Sequence, residues 1–490
     1  MKLKFASDTK SLAKADHVLV LAPAKTFGPR SRGRAALTKT LGDDLAELAT
    51  ELGREASVGL LGGTSTSRSP DGDCRITVGS LVDDVSRHST ASRAESIRKL
   101  TAASGIGGGG SDLRRTVLVV LDDDSHQLAA CNAIARALPD FTLRSRAKAR
   151  GSLDILCVRS DGSVVRADAG TKSVVGHAQE AMRFVDAPPT DLDPTAFARE
   201  AKKLLRKVKG VRVQEIVGDA LLQKKLGGIH AVGRCAKSAP RMLIATANPT
   251  KKGKHIALVG KGITYDTGGL HLKGRGAMET MKADMGGGAA VLGAFLALAQ
   301  HHKKHKITLL LCLAENAIGP IAYKPDDVLT MHSGKTVEIN NTDAEGRLLL
   351  ADGCSYAARN LGCDVILDAA TLTGAQGVAT GVHFASVISN DQAVEDALCD
   401  AGRSSGDLCW PLPFAPEFYR SEFHSPIADM RNSVKSRSNA QVSCAAEFVH
   451  WHLAGTKASW GHIDLAYPAF RGNRGTGFGV ALLFDTVRRL

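Results

Sequence analysis

Ile256-Ala-Leu-Val259-Gly-Lys261-Gly-Ile-Thr-Tyr-Asp266-Thr-Gly-Gly-Leu-His-Leu-Lys273 is an apolar run that passes straight into glycines, lysines and an aspartate. Its opening does not alternate apolar with polar, so it reads as a strand buried on both faces. Similar runs recur at 307–313, 365–367, 385–388 and 463–465, with helical patterns between them at 289–301, 345–360, 394–401 and 445–453. Strands of this kind separated by helices predict an α/β chain of two domains, each a mixed, largely parallel sheet flanked by helices. In such sheets the chemistry gathers where strands end and loops begin. The carboxyl-terminal domain, which holds these runs, is therefore the one expected to carry the site.

Upstream, strand patterns fall at 17–21, 58–61, 76–78, 116–121 and 153–158, with a helix at 127–138. Polar, glycine-rich stretches at 62–73 and 105–112 read as loops, the second as a flexible surface loop. A helix at 175–184 runs into Asp186-Ala-Pro-Pro-Thr-Asp-Leu-Asp-Pro194, whose three prolines break it. A new helix is expected from Pro194, with Asp193 as its cap. The domains are accordingly 1–170, a linker helix and proline-rich boundary at 171–195, and 196–490.

The 490 residues suit two to three domains, and 43% hydrophobic with 23% charged residues suit a globular chain. Aromatics at 4% argue against a stacking platform for single strands. The net charge of +13 comes in short bursts, such as Arg144, Arg146, Lys148 and Arg150. These read as solvated faces or, alternatively, as a nucleic-acid surface. Ten cysteines without a C-x-x-C pair indicate reduced thiols. The start lacks the apolar core of a secretory signal and no run of eighteen apolar residues occurs, so a cytoplasmic chain without a membrane partner is expected.

Two glycine-marked segments concentrate the chemistry. One is the opening stretch with its continuation Met281-Lys-Ala-Asp284-Met-Gly-Gly-Gly288; the other is Asn341-Thr-Asp343-Ala-Glu345-Gly-Arg347-Leu348. In extended chain Asp343 and Glu345 face one side, and carboxylates held together repel unless a cation lies between them. Asp266 and Asp284 can add oxygens for divalent metals, which carboxylates bridge at spacings of about 3.5–4 Å. Structural readings compete with this one. Thr342-x-x-Glu345 fits a helix capping box, Asp266-Thr-Gly-Gly a turn, and Met285-Gly-Gly-Gly a phosphate loop or close helix packing.

GKGITYDTGG…LK…MKADMGGG and NTDAEGRL resemble the signatures of the cytosolic leucyl aminopeptidases, two-zinc hexameric enzymes. Weaker similarity runs through 180–490, including Leu367-Asp-Ala-Ala-Thr-Leu-Thr-Gly374, Ala428-Asp-Met-Arg-Asn432 and Trp460-Gly-His-Ile-Asp464. The first 170 residues carry no matching motif. The resemblance implies a catalytic metallopeptidase domain at 196–490 that removes leucine or other apolar residues from short peptides with a free N-terminus. It implies Lys261, Asp266, Asp284 and Glu345 around a tightly held zinc, and Asp266, Asp343 and Glu345 around an exchangeable ion (Zn2+, Mn2+, Co2+ or Mg2+). Lys273 becomes the electrophile, Arg347 the anchor of a bicarbonate base, and a water activated by both metals the nucleophile. Met281, Thr371, Leu372 and Gly374 match the side-chain pocket. As a metal ligand Lys261 must be a neutral amine, which two adjacent dications favour. A homohexamer is implied, and DNA binding is an alternative additional role through the basic segments.

The sequence departs from the family pattern at Thr267, where serine is usual, and at Gly274, where proline is usual. Other motifs carry less. Gly402-Arg-Ser404-Ser-Gly406 fits G-x-S-x-G but lacks the strand that pattern needs before it. His332-Ser-Gly-Lys-Thr336 lacks the first phosphate-loop glycine. Asn340-Asn-Thr342 is formally a glycosylation sequon, and no H-E-x-x-H occurs.

Overall fold

The computed structural model describes residues 1–29, 31–56, 59–146, 151–248, 250 and 252–490. They cluster into two units, Met1–Gln179 with Arg403–Gly406, and Glu180–Gly402 with Asp407–Leu490. Helix Ala169–Asp186 contains the point of division.

The first unit is built on β1 (Lys2–Phe5), β2 (His17–Pro23), β3 (Gly63–Arg68), β4 (Arg75–Leu81), β5 (Arg115–Leu121), β6 (Ser152–Arg159) and β7 (Val164–Val165). The sheet runs β1-β6-β5-β2-β4-β3, with β7 beside β6. Pairings are parallel except β3–β4 and β6–β7. Alternate strand residues feed two cores. Leu19, Leu21, Val117 and Val119 meet helices Ala94–Ala103 and Gln127–Arg136. Val18, Val20, Leu118 and Val120 meet helices Arg32–Leu41 and Asp43–Glu55.

Two expectations in this unit are corrected. No strand spans 58–61: Leu60 and Leu61 form a turn, and Val58 lies outside the described residues. The strand is instead β3, inside the stretch expected to be a loop, and it pairs antiparallel with β4. An edge strand need bury no apolar face, so Gly-Thr-Ser-Thr-Ser-Arg gives no periodic signal. The 105–112 segment is a loop, but a tied one. Buried Arg115 donates to the carbonyls of Gly108 and Gly110 at 2.7 Å. Of the basic burst at 144–150, residues 147–150, with Lys148 and Arg150, lie outside the described residues.

The second unit holds β8 (Arg212–Val217), β9 (Arg241–Ala247), β10 (His255–Asp266), β11 (Lys306–Asn316), β12 (Val328–Thr330), β13 (Thr336–Glu338), β14 (Val365–Ala370), β15 (Ala385–Ser389), β16 (Cys409–Pro411), β17 (Met430–Arg431) and β18 (Ser459–Asp464). Its main sheet runs β16-β15-β18-β14-β10-β11-β9-β8, and β12-β13-β17 form a small one. The centre, β11, β10, β14 and β18, is parallel. Antiparallel β9 and β8 extend one side and β15 joins β18 antiparallel, so the sheet is mixed. Helix Pro194–Leu205 starts where expected, with Asp193 accepting from the Ala196 N–H at 2.7 Å.

Helix Gly286–His301 is apolar on every side and lies in the core. The stretch Met281–His301 is long and apolar enough to cross a membrane, yet 94% of its most apolar 18-residue window is buried inside the chain. Its glycines let it approach the sheet closely: a Cβ on Gly287 would stand 2.1 Å from the Ala369 carbonyl oxygen. That approach sets the height of Asp284, just before the helix, over the ends of β10 and β14. Gly287→Ala should therefore lower stability by about 1–3 kcal/mol, read from denaturant unfolding, and should reduce activity at the site below.

Candidate metal centre

The central strands deliver their polar residues to one end. β10 carries Lys261 and, past a register shift against β11, Asp266. Asn316 ends β11 opposite Asp266, Thr371 follows β14, and Asp464 ends β18. Asp343 and Glu345 precede helix Gly346–Arg359, and Asp284 precedes helix Gly286–His301. All eleven residues singled out from the sequence (Lys261, Asp266, Lys273, Met281, Asp284, Asp343, Glu345, Arg347, Thr371, Leu372 and Gly374) line one cleft of ≈ 810 Å³.

Within it, carboxylates and lysines interleave. The Lys261 ammonium lies 2.6 Å from Asp284 and 3.0 Å from Glu345, and donates to the Thr371 carbonyl at 2.8 Å. Lys273 lies 2.8 Å from Asp266 and 2.5 Å from Asp343. Oxygen atoms of Asp266, Asp343 and Glu345 all fall within 4.8 Å of one another. Asp266 also accepts from the Gly268 N–H and the Asn316 amide, both at 2.8 Å. Four carboxylates thus face two ammonium groups, and even with the Arg347 guanidinium in the same cleft a formal excess of negative charge remains in a largely buried place. Such an excess is costly unless further positive charge enters.

The titration behaviour records the same imbalance. Burial, then the charges of Glu345 and Asp266, push the Asp284 carboxyl well above its ordinary range against the pull of Lys261. Burial followed by Asp266 raises Glu345 and Asp343 as well. Burial opposes the Lys261 ammonium, but Asp284, Glu345 and Asp266 outweigh it and hold its pKa above the usual lysine value. Lys273 is likewise held high, chiefly by Asp266 against burial. The neutral amine expected of Lys261 is thus not its state in the chain alone; only added cations reverse the sign. Burial pulls Arg347 down to about 10.

Several features fit metal ions. The Asp284 Oδ2 atom is buried and accepts no hydrogen bond among the described residues. Helix Gly346–Arg359 begins against Lys261, where a Cβ on Gly346 would stand 2.4 Å from the lysine Cε. The capping-box reading fails: Glu345 makes no side-chain cap, and the Thr342 hydroxyl donates to the Gly268 carbonyl at 2.7 Å while accepting from the His271 N–H. Glu345 is left for the cluster.

The sequence reading gave several supporting residues no role. Asn316 ties Asp266 to the Thr342 carbonyl, which Tyr323 also reaches. Asn432 accepts from the N–H groups of Asn340 and Asn341 and offers its carbonyl to Arg347 at 3.0 Å. Asp464 accepts from the Leu372 N–H and the Thr373 hydroxyl, fixing the loop after β14. Their position at strand ends was the available signal, since Asn316 closes an apolar run just as Asp266 does. Gly402 to Gly406 lies at the end of helix Gln392–Ser405, without the strand a nucleophile elbow requires. Asn340, of the sequon, lines the cleft.

A family model described as the cytosol aminopeptidase family, catalytic domain, matches residues 179–484, and one described as M17 aminopeptidase N-terminal domain 2 matches 45–147. The mouse protein named probable aminopeptidase NPEPL1 is 44% identical over 423 residues, 84% of this chain and 79% of the relative. The leucyl aminopeptidase of Leishmania major, solved in complex with actinonin, superposes with a TM-score of 0.91 at 35% identity, covering 99% of this chain and 94% of that one. Leucine aminopeptidase LAP1 of Caenorhabditis elegans superposes at 0.87 with 30% identity, covering 100% and 99%. With these similarities and an acidic metal-binding cluster at the strand ends, the chain belongs to the cytosol aminopeptidase (M17) family and is a metal-dependent aminopeptidase.

Proposed function

We propose that the cleft removes apolar N-terminal residues, leucine foremost, from short peptides, using two divalent ions and a bicarbonate. The observation that carries this reading is the excess of buried carboxylate around Lys261 and Lys273. Lys261, Asp266, Asp284 and Glu345 would hold one ion, and Asp266, Asp343 and Glu345 the other. Zn2+ is the expected metal, with Mn2+, Co2+ or Mg2+ able to take the exchangeable position. When bound, such ions supply Lewis acidity and make water acidic enough to act as a nucleophile near neutral pH.

The chain's own groups do the rest. Lys273 stands beside Asp266 and Asp343, and as an ammonium its Nζ would donate to the oxygen that gains charge as the peptide bond breaks. Arg347 is buried, has one N–H spent on Asn432, and its Nε is unpartnered among the described residues. A planar donor fork left free in this way suits a carbonate-like anion. Asn432 and the helix start keep that fork in place. Met281 and Leu372, which line the cleft with Thr371 and Gly374, would supply the apolar contacts for a leucine side chain. Following the family resemblance, we carry forward a cytoplasmic homohexamer.

The direct test is hydrolysis of a leucine amide. A chelator should abolish it and Zn2+ or Mn2+ restore it; chelator-resistant turnover would refute the two-metal reading. Lys273→Ala should reduce kcat by about 10²–10³-fold with metal content, read by elemental analysis, unchanged. Metal affinity should fall as pH drops, because Asp284, Asp343 and Glu345 must shed protons that burial helps them keep. The decline should begin above the ordinary carboxylate range, and uptake should also release the Lys261 proton. Calorimetry in buffers of different ionisation enthalpy reads both effects, and proton-neutral binding would contradict them.

A further inference from the structure

The amino-terminal unit contains a second cavity, of ≈ 530 Å³, that hydrolysis does not use. Topology puts it there. β2 lies between β4 and β5, parallel to both. The chain leaving β2 enters helices Arg32–Leu41 and Asp43–Glu55, on the face of Val18 and Val20. The chain leaving β5 enters helix Gln127–Arg136, on the opposite face with Leu19 and Leu21. Where neighbouring strands send their connections to opposite faces, a crevice opens at their carboxyl ends. Open α/β sheets bind ligands at such points. The cavity lining includes Lys25, Thr26, Ser31 and Gly33 after β2, Asp122 after β5, and Ser160 after β6.

The lining has a chemical preference. Thr26 is 3% exposed and borders the cavity, yet its hydroxyl makes no hydrogen bond among the described residues. A polar group so placed is expected to meet a ligand or water. Helix Arg32–Leu41 starts in the wall, with no acidic residue in its first turn, and its positive end favours an anion. The Lys25 side chain, 60% exposed, stands at the rim. The one lining carboxylate, Asp122, is balanced by Lys25 at 3.3 Å and Arg93 at 2.8 Å. The volume lies in the range of small-molecule sites.

We infer that this cavity binds a phosphorylated metabolite of mononucleotide size. The phosphate sits between the helix start, Lys25 and the Thr26 hydroxyl, and Asp122 and Ser160 accept the sugar hydroxyls. The probe is AMP, titrated calorimetrically into the full chain, with inorganic phosphate and adenosine as separate arms. AMP should bind with equal affinity in metal-loaded and chelated protein, phosphate should compete, and adenosine should not. Thr26→Val and Lys25→Ala should each weaken AMP by about tenfold while leucine amide hydrolysis stays at the parent rate. The inference is overturned by absence of AMP binding at millimolar concentration, by equal affinity in both variants, by adenosine binding as tightly as AMP, or by binding that disappears with the metal.

Discussion

Carboxylates do not gather in a buried place without positive charge to hold them, and much of the second unit serves that requirement. Asp266, Asp284, Asp343 and Glu345 converge with only Lys261 and Lys273 between them. The backbone makes the convergence possible. Parallel strands end together, so β10, β11, β14 and β18 bring polar residues to one level. Two helices then start over that level, one pressed down by Gly287 and the other resting on Lys261 through Gly346.

The lysines have different positions and so different work. Lys261 is buried on a strand, fixed by Asp284, Glu345 and the Thr371 carbonyl, and cannot leave without disturbing all three. Lys273 stands on a loop beside Asp266 and Asp343, with Gly274 after it. In the proposed mechanism the strand lysine would serve as a permanent ligand and the loop lysine as a donor to the substrate. Arg347 differs again: it is anchored at one nitrogen and open at another, and this distinguishes its planar fork from an ammonium.

The two units use one architectural principle for different ends. Both place loops at the carboxyl ends of a largely parallel sheet. In the second, acidic residues fill those loops. In the first, the loop after β2 carries Lys25, Thr26 and a helix start instead, so the same architecture presents donors rather than acceptors. Sheet topology fixes where a ligand can sit, and loop composition fixes which charge it bears.

The central strands and helices of the second unit were legible because a strand buried on both faces must be apolar throughout, as 256–259 and 307–313 are. That the two glycine-marked segments would meet at one cleft was legible too, since both follow apolar strand patterns and carry their acids where those strands end. Edge strand β3 was not, because half-exposed backbone takes its order from its partner β4 and leaves no mark in its own residues. Nor was the choice between capping box and cluster at Glu345: both fit the local sequence, and the distant Gly268 and His271 settle it by engaging Thr342. The amino-acid order thus determined which segments lie in the core and which polar segments gather at the strand ends, since both follow from side-chain type and spacing. Only the tertiary structure decided which carboxylates meet, what charge remains among them, and that Asn316, Asn432 and Asp464 support them, because those facts depend on distances between segments far apart in the chain.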